Sequence, residues 1–251
     1  MLKIENFEVL GWEHAIRGMR NPMNSWEKSD SNFFDDSEGH VCNICQGHGP
    51  MSLIEIGPND YTLMKNLRNA GTDHRKFMRM ITVYLDITGP LYWWKEFDTY
   101  KVGTVANSCS TMHKIAVKEF DINDFSHEHI EELDGDEYNM SYDWLLRTVD
   151  ILNYYRKEYS IASEKLKRTD LTEAERKHVL AQQKFYWWQM IQLLPTSYNQ
   201  KRTVMLNYEV LANIYKSRRN HKLDEWHTLC DWIEELPYSE LITGKEHEVE
   251  E

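Results

Sequence analysis

Residues 90–113 read PLYWWKEFDTYKVGTVANSCSTMH and hold the most informative pattern in the chain. An apolar, tryptophan-rich run leads into Lys95 and Lys101, and small hydroxyl and amide side chains follow between residues 104 and 110. Ammonium groups, hydroxyls and exposed backbone N–H groups together suit a bound anion. The pattern therefore predicts an anion-binding segment directly after an apolar element.

A second stretch, residues 194–226, carries further polar candidates. Asn207 is predicted to lie on a helix, residues 218–221 read RRNH, and Trp226 follows. Cations at the C-terminal end of a helix are favoured by the helix dipole alone, so a charged helix end is the simpler interpretation of this stretch by itself. Taken with the first stretch, it predicts a pocket for a phosphorylated, planar ligand.

Composition restricts the class of protein. Of the 251 residues, 41% are hydrophobic, which is enough for a buried core and argues against global disorder. The formal charge of −12 argues against binding to a nucleic-acid polymer. We find no secretion signal and no apolar run of the roughly 20 residues that a membrane span needs. With only four cysteines, a cytoplasmic protein without a membrane partner is expected.

The predicted elements place the chain in the α+β class, as one domain over residues 1–251. We expect an antiparallel sheet with a helical core and long C-terminal helices. Thr172 and Glu175 have the spacing of a capping box. We predict strands over 3–10 and 77–87, helices over 12–19, 58–71, 91–100, 140–165, 172–194, 200–217 and 223–235, a loop over most of 21–50, an acidic connector at about 119–138 and a disordered tail at about 244–251.

Other candidate features have simpler interpretations. His40, Cys42, Cys45 and His48 lie within one short loop, whereas zinc sites usually draw two ligand pairs from separated segments. Structural zinc is therefore a minor hypothesis, and no metal site is predicted. The acidic connector lacks calcium-loop spacing. The paired tryptophans at 93–94 and 187–188 could stack on a flavin or a base, but at helical spacing they are more often part of a core.

Several common motifs are absent from the sequence. It has no phosphate-binding Gly-Lys-Ser loop, no Gly-x-Gly-x-x-Gly, no His-Glu-x-x-His and no Gly-x-Ser-x-Gly. These absences disfavour the common NTPases, the usual nucleotide-dependent dehydrogenases, zincins and serine hydrolases.

The two stretches, taken in order, resemble the flavin-dependent thymidylate synthases. In that family a proline precedes a helix with an Arg-Gln-Trp run, and the signature Arg-His-Arg-x-x-Ser-x-Asn-Glu-x-Ser-x-Arg follows. Counting from Pro90 without gaps, residues 95–97 (KEF) fall on Arg-Gln-Trp, residues 99–101 (TYK) on Arg-His-Arg, and Thr104 on the signature Ser. Asn107 and Ser110 lie one place beyond the family's Asn and Ser, so a one-residue insertion would align them.

The C-terminal part resembles the family's last conserved region more closely. Residues 194–195 (LP) match its opening Leu-Pro, and Asn207 falls without a gap on the Asn of Val-Asn-Ala-Arg. Arg218 or Arg219, then His221 and Trp226, are similar to the closing Leu-Arg…His-Ala-Gln-Trp. Near the front, residues 71–74 (GTDH) are similar to Gly-His-Thr-Ser.

The chain departs from the signature at charged positions. Thr99 and Tyr100 replace its first Arg and its His, and the Glu after the Asn has no acidic counterpart. The final Arg is Thr111 or Met112. An arginine holds a phosphate bidentately where a lysine offers a point charge, so Lys101 is a tolerable replacement, whereas Thr99 removes a charge.

The resemblance implies a homotetrameric enzyme that binds FAD and converts dUMP to dTMP with methylenetetrahydrofolate and NADPH as co-substrates. No protein nucleophile is implied, since the cofactor carries the chemistry and the protein supplies positioning and electrostatics. The resemblance implies cofactor contacts from His74, Lys95, Lys101, Thr104, Asn207 and His221, and substrate contacts from Asn107, Ser108, Ser110, Arg218 and Arg219.

Two alternatives stay open. The chain could be a catalytically degenerate relative that binds nucleotide or flavin, or serves a structural role, because signature charges are missing. It could also be an enzyme acting on a modified pyrimidine nucleotide.

Overall fold

The computed structural model describes residues 2–34, 53–130 and 140–245. In this part of the chain the strands are β1 (Lys3–Leu10), β2 (Asn32–Phe34), β3 (Leu53–Glu55), β4 (Thr82–Pro90), β5 (Val105–Ser108) and β6 (Asn199–Asn207). The helices are α1 (Trp12–Arg20), α2 (Pro58–Asn69), α3 (Leu91–Phe97), α4 (Thr111–Lys114), α5 (Met140–Leu166), α6 (Glu173–Leu193), α7 (Tyr208–Arg218), α8 (Asp224–Glu234) and α9 (Glu240–Thr243).

The chain divides into two compact units. The sheet unit contains Leu2–Thr88, Lys95–Asn107 and Arg202–Glu251, and the helical unit contains Gly89–Trp94 and Ser108–Lys201. Because each unit is built from more than one stretch of chain, the expectation of a single domain stays a prediction.

The four-stranded sheet has the order β1-β4-β6-β5. β1 runs antiparallel to β4, with Lys3 opposite Thr88 and Leu10 opposite Thr82. Every second residue of β4 is buried, as expected of a strand with one face on a core. The core of the sheet unit includes Val9, Trp12, Ile16, Met64, Val83, Leu85, Ile87, Val204, Leu206, Tyr208, Leu211, Trp226 and Ile233.

The helical unit is built around α5 and α6, which pack on each other. Its core contains Ile115, Phe120, Phe125, Leu145, Val149, Leu152 and Met190. The predicted capping box is present at the start of α6: Thr172 N donates to Glu175 Oε2 at 2.9 Å, and Glu175 N donates to Thr172 Oγ1 at 3.3 Å. Of the paired tryptophans, Trp93 and Trp94 are buried, whereas Trp188 is exposed.

The predicted α+β class, antiparallel sheet and long C-terminal helices are confirmed. The predicted helix over 200–217 is wrong in its first half, where β6 runs to Asn207 before α7 begins. Burial at Gln200, Val204 and Leu206 has the period of two that a strand requires. Asn207 is therefore the last strand residue and the N-cap of α7, not a residue within a helix.

The predicted strand over 77–87 starts too early. Residues 75–79 form a 3₁₀ turn, and β4 starts at Thr82. Phe77 and Met78 are adjacent and both buried, which a strand with one solvated face does not allow because successive side chains point to opposite faces.

Some predictions fall outside the described residues: the loop with His40, Cys42, Cys45 and His48, most of the second half of the acidic connector, and residues 246–251. Among the described helices, none combines the length and the apolar character that crossing a membrane would require.

Candidate functional site

The first candidate segment leaves α3 through a tight turn in the sheet unit. The backbone N–H and the hydroxyl of Thr99 both donate to the carbonyl of Glu96, at 3.1 and 2.7 Å. Tyr100 N donates to the carbonyl of Phe97 at 3.0 Å. The turn places the ring of Tyr100 edge-on to Trp226, with 6.0 Å between centroids. A residue of the first stretch therefore contacts a residue of the second.

Gly103 makes a second contact between the two predicted stretches. Its φ of +77° lies in the left-handed region, and a Cβ built on it would lie 2.9 Å from Nδ2 of Asn207. The Oδ1 atom of Asn207 is occupied, because it accepts from Val210 N at 3.0 Å and caps α7. The cap therefore fixes the Asn207 amide with its nitrogen towards Gly103, and a side chain at residue 103 would collide with it.

Thr104 follows this close approach and leaves a polar atom unsatisfied. Its Oγ1 is buried and has no hydrogen-bond partner among the described residues. A buried hydroxyl without a partner costs free energy, so its presence needs an explanation. Lys95 and Lys101 are exposed, and in the described part of the chain neither forms an ion pair. By chemical type, ammonium groups and an unsatisfied hydroxyl are donors that suit a phosphate.

Glu96 lies at the centre of a charged cluster that the sequence analysis did not select. Its Oε2 atom accepts from Arg218 Nη1 at 2.7 Å and from Trp226 Nε1 at 3.1 Å, and lies 3.4 Å from His221 Nε2. α7, α8 and the segment between them therefore converge on one carboxylate oxygen of α3. The signal in the sequence was the position of Glu96 in the Arg-Gln-Trp run, where a carboxylate replaces an amide.

Aromatic rings hold the guanidinium of Arg218 in place. It lies over the Trp226 ring, 4.7 Å from the centroid, and its Nε donates to the Tyr100 hydroxyl at 3.0 Å. Phe97 stacks on Trp226, with 6.4 Å between the ring centroids and an interplanar angle of 17°. A guanidinium on an aromatic face with two directed hydrogen bonds has little rotational freedom.

The neighbouring predicted residues border an open depression. Arg219, Asn220, His221, His227 and Asp231 line it, and its volume is about 490 Å³. Arg219 Nη1 donates to Asp231 Oδ1 at 2.5 Å, and this hydrogen bond raises the pKa of Arg219. The structure thus brings Arg218 and His221 together on Glu96 but pairs Arg219 with a different carboxylate.

The remaining predicted residues lie elsewhere. The His74 side chain is exposed at the start of the 3₁₀ turn, and no described contact joins it to Thr104 or His221. Asn107 is exposed on β5 in the sheet unit. Ser108 and Ser110 belong to the helical unit, where Ser110 Oγ accepts from His113 N at 3.0 Å and caps α4.

A buried carboxylate, Glu209, was also missed. It accepts hydrogen bonds from Arg79 and, at 3.4 Å, from Arg75 Nε. Burial alone would raise the pKa of Glu209, but the hydrogen bond and the charge of Arg79, with those of Arg75, lower it below its usual value. The spacing of Arg75 and Arg79 by four residues was the available signal.

No family model and no curated protein matches the sequence. The similarity to known proteins is therefore one of three-dimensional structure. The chain is similar to flavin-dependent thymidylate synthase ThyX from Helicobacter pylori, complexed with FAD and dUMP. The TM-score is 0.58 at 15% identity, covering 96% of this chain and 97% of that one. A second structure of that enzyme with FAD and dUMP gives 0.57 at 14% identity and 97% of each chain.

The chain has a ThyX-like fold. The UMP/dUMP methylase PolB from Streptomyces cacaoi, bound with 5-Br dUMP, is also similar, with a TM-score of 0.50 at 12% identity over 97% of this chain and 95% of that one. The likeness to ThyX spans nearly the whole chain, so the fold implied by the sequence resemblance is confirmed.

Proposed function

We propose that the protein is a flavin-dependent thymidylate synthase-like enzyme that binds FAD and converts dUMP to dTMP. Methylenetetrahydrofolate and NADPH are its proposed co-substrates. The observation that carries the proposal is the meeting of the two predicted stretches, at Gly103 with Asn207 and at Tyr100 with Trp226. The likeness to ThyX structures that hold FAD and dUMP supports it.

The residues around this meeting point suit a phosphorylated, planar ligand. Lys101 and Thr104 would hold a phosphate of the flavin cofactor, and Lys95 would add a further positive charge. When bound, the flavin supplies the reducing equivalents. The unsatisfied Thr104 hydroxyl is the feature that fits such a group. Asn207 and His221 would face ring edges of the cofactor.

We assign the substrate to Arg218, with Arg219, Asn107, Ser108 and Ser110 as further proposed contacts. Arg218 is already paired with Glu96 at 2.7 Å, so it suits an uncharged ring edge better than a second anion. His74 keeps its proposed cofactor contact only through the resemblance. In this scheme the protein binds and orients the reactants and contributes no covalent nucleophile.

We also propose that the chain forms a homotetramer in which copies share these sites. Large apolar side chains remain exposed on α5 and α6, which suits burial against another copy. They are Trp144, Leu146, Ile151, Tyr154, Ile161, Leu180, Phe185, Trp188 and Leu193. Light scattering on the purified protein would measure the assembly. A cytoplasmic location and the lack of a nucleic-acid polymer partner stay predictions from composition.

A second candidate is an enzyme acting on a different pyrimidine nucleotide. The likeness to PolB, a UMP/dUMP methylase, favours it. Tyr100 favours it too, because a phenol hydrogen-bonded to Arg218 stands where the signature has an imidazole. The same departures support a degenerate relative that binds flavin or nucleotide without turnover.

Purified protein tests these candidates in two steps. Flavin absorbance in the visible range and titration with FAD measure cofactor binding, and rescue of a thymidine auxotroph measures turnover of dUMP. Lys101→Ala should weaken FAD binding about tenfold, the loss expected for one charge-assisted contact. Lys216→Ala, which removes an exposed lysine on α7, is the matched control and should leave FAD affinity unchanged.

Each outcome separates the candidates. Bound FAD with rescue supports thymidylate synthesis. Bound FAD without rescue supports the enzyme on another nucleotide or the degenerate relative. A colourless protein that takes up no FAD overturns the proposed function.

A further inference from the structure

The two oxygens of the Glu96 carboxylate have different surroundings. Oε2 takes every described contact, with Arg218 Nη1, Trp226 Nε1 and His221 Nε2. Oε1 has no partner among the described residues, and the side chain is 35% exposed. One half of the carboxylate therefore organises the cluster, while the other half is an open hydrogen-bond acceptor.

The charge balance of the pair restricts what this acceptor can meet. Arg218 and Glu96 neutralise each other at 2.7 Å. A phosphate approaching Oε1 would meet a carboxylate oxygen, and the ion pair itself carries no net positive charge to offset the repulsion. A neutral group carrying an N–H would instead make a charge-assisted hydrogen bond. The chemistry of the open oxygen thus selects an uncharged donor.

The cluster also offers a donor beside this acceptor. Arg218 uses Nε on the Tyr100 hydroxyl and Nη1 on Glu96, and its Nη2 makes no hydrogen bond to any residue that the structure describes. An acceptor and a donor carried by one ion pair match a pyrimidine edge on which an N–H lies next to a carbonyl oxygen or a ring nitrogen.

We propose that Glu96 selects the base of the bound nucleotide by accepting, through Oε1, a hydrogen bond from an N–H group on the pyrimidine edge. The inference rests on the proposed function, since it assigns a specificity role within that site. Two bases carry the required chemistry: uracil donates through its ring N3–H, and cytosine donates through its exocyclic amino group.

The substitution Glu96→Gln tests this role because the cluster dictates how the amide must lie. Since donors converge on the Oε2 position, the amide oxygen has to occupy it, and the NH₂ group then takes the place of Oε1. The variant presents a donor where the wild type presents an acceptor. An N–H of the base would face another N–H and lose its partner, which costs about tenfold or more in affinity.

The experiment measures calorimetric affinities of the FAD-loaded protein for four nucleotides: dUMP, 3-methyl-dUMP, dCMP and N4,N4-dimethyl-dCMP. Methylation removes the N–H donor and leaves the neighbouring acceptor in place. In the wild type, methylation of one base should weaken binding about tenfold or more, and in Glu96→Gln this loss should largely disappear. The base that shows this coupling identifies the donor as N3–H or as the amino group.

Asp98→Asn is the matched control, because it makes the same chemical change two residues away, at an exposed carboxylate paired with Arg202 at 2.8 Å. It should leave the effect of methylation unchanged. Methylation costs that are equal in wild type and Glu96→Gln for both bases overturn the inference, even if Glu96→Gln weakens all nucleotides together.

The comparison of parent and methylated nucleotides also tests the inference with the wild-type protein alone. If Glu96→Gln fails to fold, a wild type that binds parent and methylated nucleotides equally still overturns the inference. FAD uptake distinguishes failure of the proposed function from failure of the role of Glu96. A wild type that binds neither FAD nor nucleotide overturns the proposed function. Nucleotide binding without coupling between methylation and Glu96→Gln overturns the base-selection role alone.

Discussion

Two arginine–carboxylate pairs in the sheet unit differ in how completely their hydrogen bonds are used. Arg20 and Asp60 are 4% and 0% exposed, and Arg20 Nε donates to Asp60 Oδ1 at 2.6 Å. Arg218 and Glu96 are 19% and 35% exposed. Both pairs join distant parts of the chain, but only the first is closed to solvent.

The number of hydrogen bonds that each carboxylate accepts distinguishes the roles of the two pairs. The second oxygen of Asp60 accepts from the hydroxyls of Ser29 and Ser31, both at 2.7 Å, and from the backbone N–H groups of Asp30 and Ser31, both at 3.2 Å. Glu96 instead leaves one oxygen without a described partner. A buried pair with every position filled can only hold the fold, whereas a pair with an open acceptor can also contact a ligand.

The largest expected effect comes from Asp60→Asn. The substitution removes the charge that compensates Arg20 and turns an NH₂ group towards hydrogen-bond donors. We expect the free energy of unfolding to fall by about 3–5 kcal/mol, as for other broken buried pairs. Chemical denaturation measures it, with Asp98→Asn as the exposed control that should cost no more than about 1 kcal/mol. Equal losses of stability in Asp60→Asn and Asp98→Asn would show that burial of the Arg20–Asp60 pair does not increase its contribution.

Acid should reduce the difference in unfolding free energy between wild type and Asp60→Asn. Burial would raise the pKa of Asp60, but hydrogen bonds from Ser31, Ser29 and Arg20 outweigh it and lower the pKa below its ordinary value of 3.8. A carboxyl with a lowered pKa in the folded state stabilises the protein above its unfolded pKa, and this contribution is lost as pH falls through the folded value. Denaturation across pH 3.8 should show wild type and Asp60→Asn converging towards lower pH.

Gly103→Ala tests how tightly the segment that follows the solvent-open Arg218–Glu96 pair is packed on Asn207. Alanine at a φ of +77° would be strained and would also press on the Asn207 amide, so we expect a loss of about 2 kcal/mol. Gly71→Ala is the matched control, because φ is +104° there and nothing lies within 4 Å of the added Cβ. A loss at Gly103 no larger than at Gly71 would show that the contact with Asn207 yields freely.

Local features of the fold could be predicted from sequence because neighbouring residues determine them. The capping box at Thr172 and Glu175 needs only its own turn of helix, and β1 runs over the predicted residues 3–10. β6 could not be predicted in the same way. Its apolar residues also suit a helix, and pairing within the sheet, which depends on distant strands, decides the outcome.

The same distinction between local and distant interactions applies to the candidate site. The meeting of the two stretches was expected from a resemblance that extends through Asn207 and Arg218, and the Gly103 and Tyr100 contacts agree with it. The central position of Glu96 was not predicted, because its signal was a single carboxylate in place of the amide of the Arg-Gln-Trp run, and that change alone does not show which groups contact it. Its role follows from two hydrogen-bond donors and the nearby His221 ring, all supplied by later parts of the chain.

Arg218→Lys examines the open pair from its cationic side. Lysine lacks the planar fork whose separate nitrogens donate to Glu96 and Tyr100, and it cannot lie flat on the Trp226 ring. We therefore expect the free energy of unfolding to fall by about 1–2 kcal/mol. Arg219→Lys, at the adjacent residue paired with Asp231, should cost less than about 0.5 kcal/mol in the same denaturation assay. Similar losses at both positions would mean that the aromatic packing around Arg218 contributes no stability.

The smallest effect is expected for Glu96→Gln, the same carboxylate-to-amide change as Asp60→Asn. Its amide oxygen can keep the contacts of Oε2, and its NH₂ group takes the side where Glu96 has no described partner. We therefore expect a change below about 0.5 kcal/mol in the free energy of unfolding, since a partly solvated pair contributes little. A loss near that of Asp60→Asn would make Glu96 a structural residue of the same kind. A small loss would mean that stability does not account for the Glu96 carboxylate, and ligand binding through its second oxygen would then account for it.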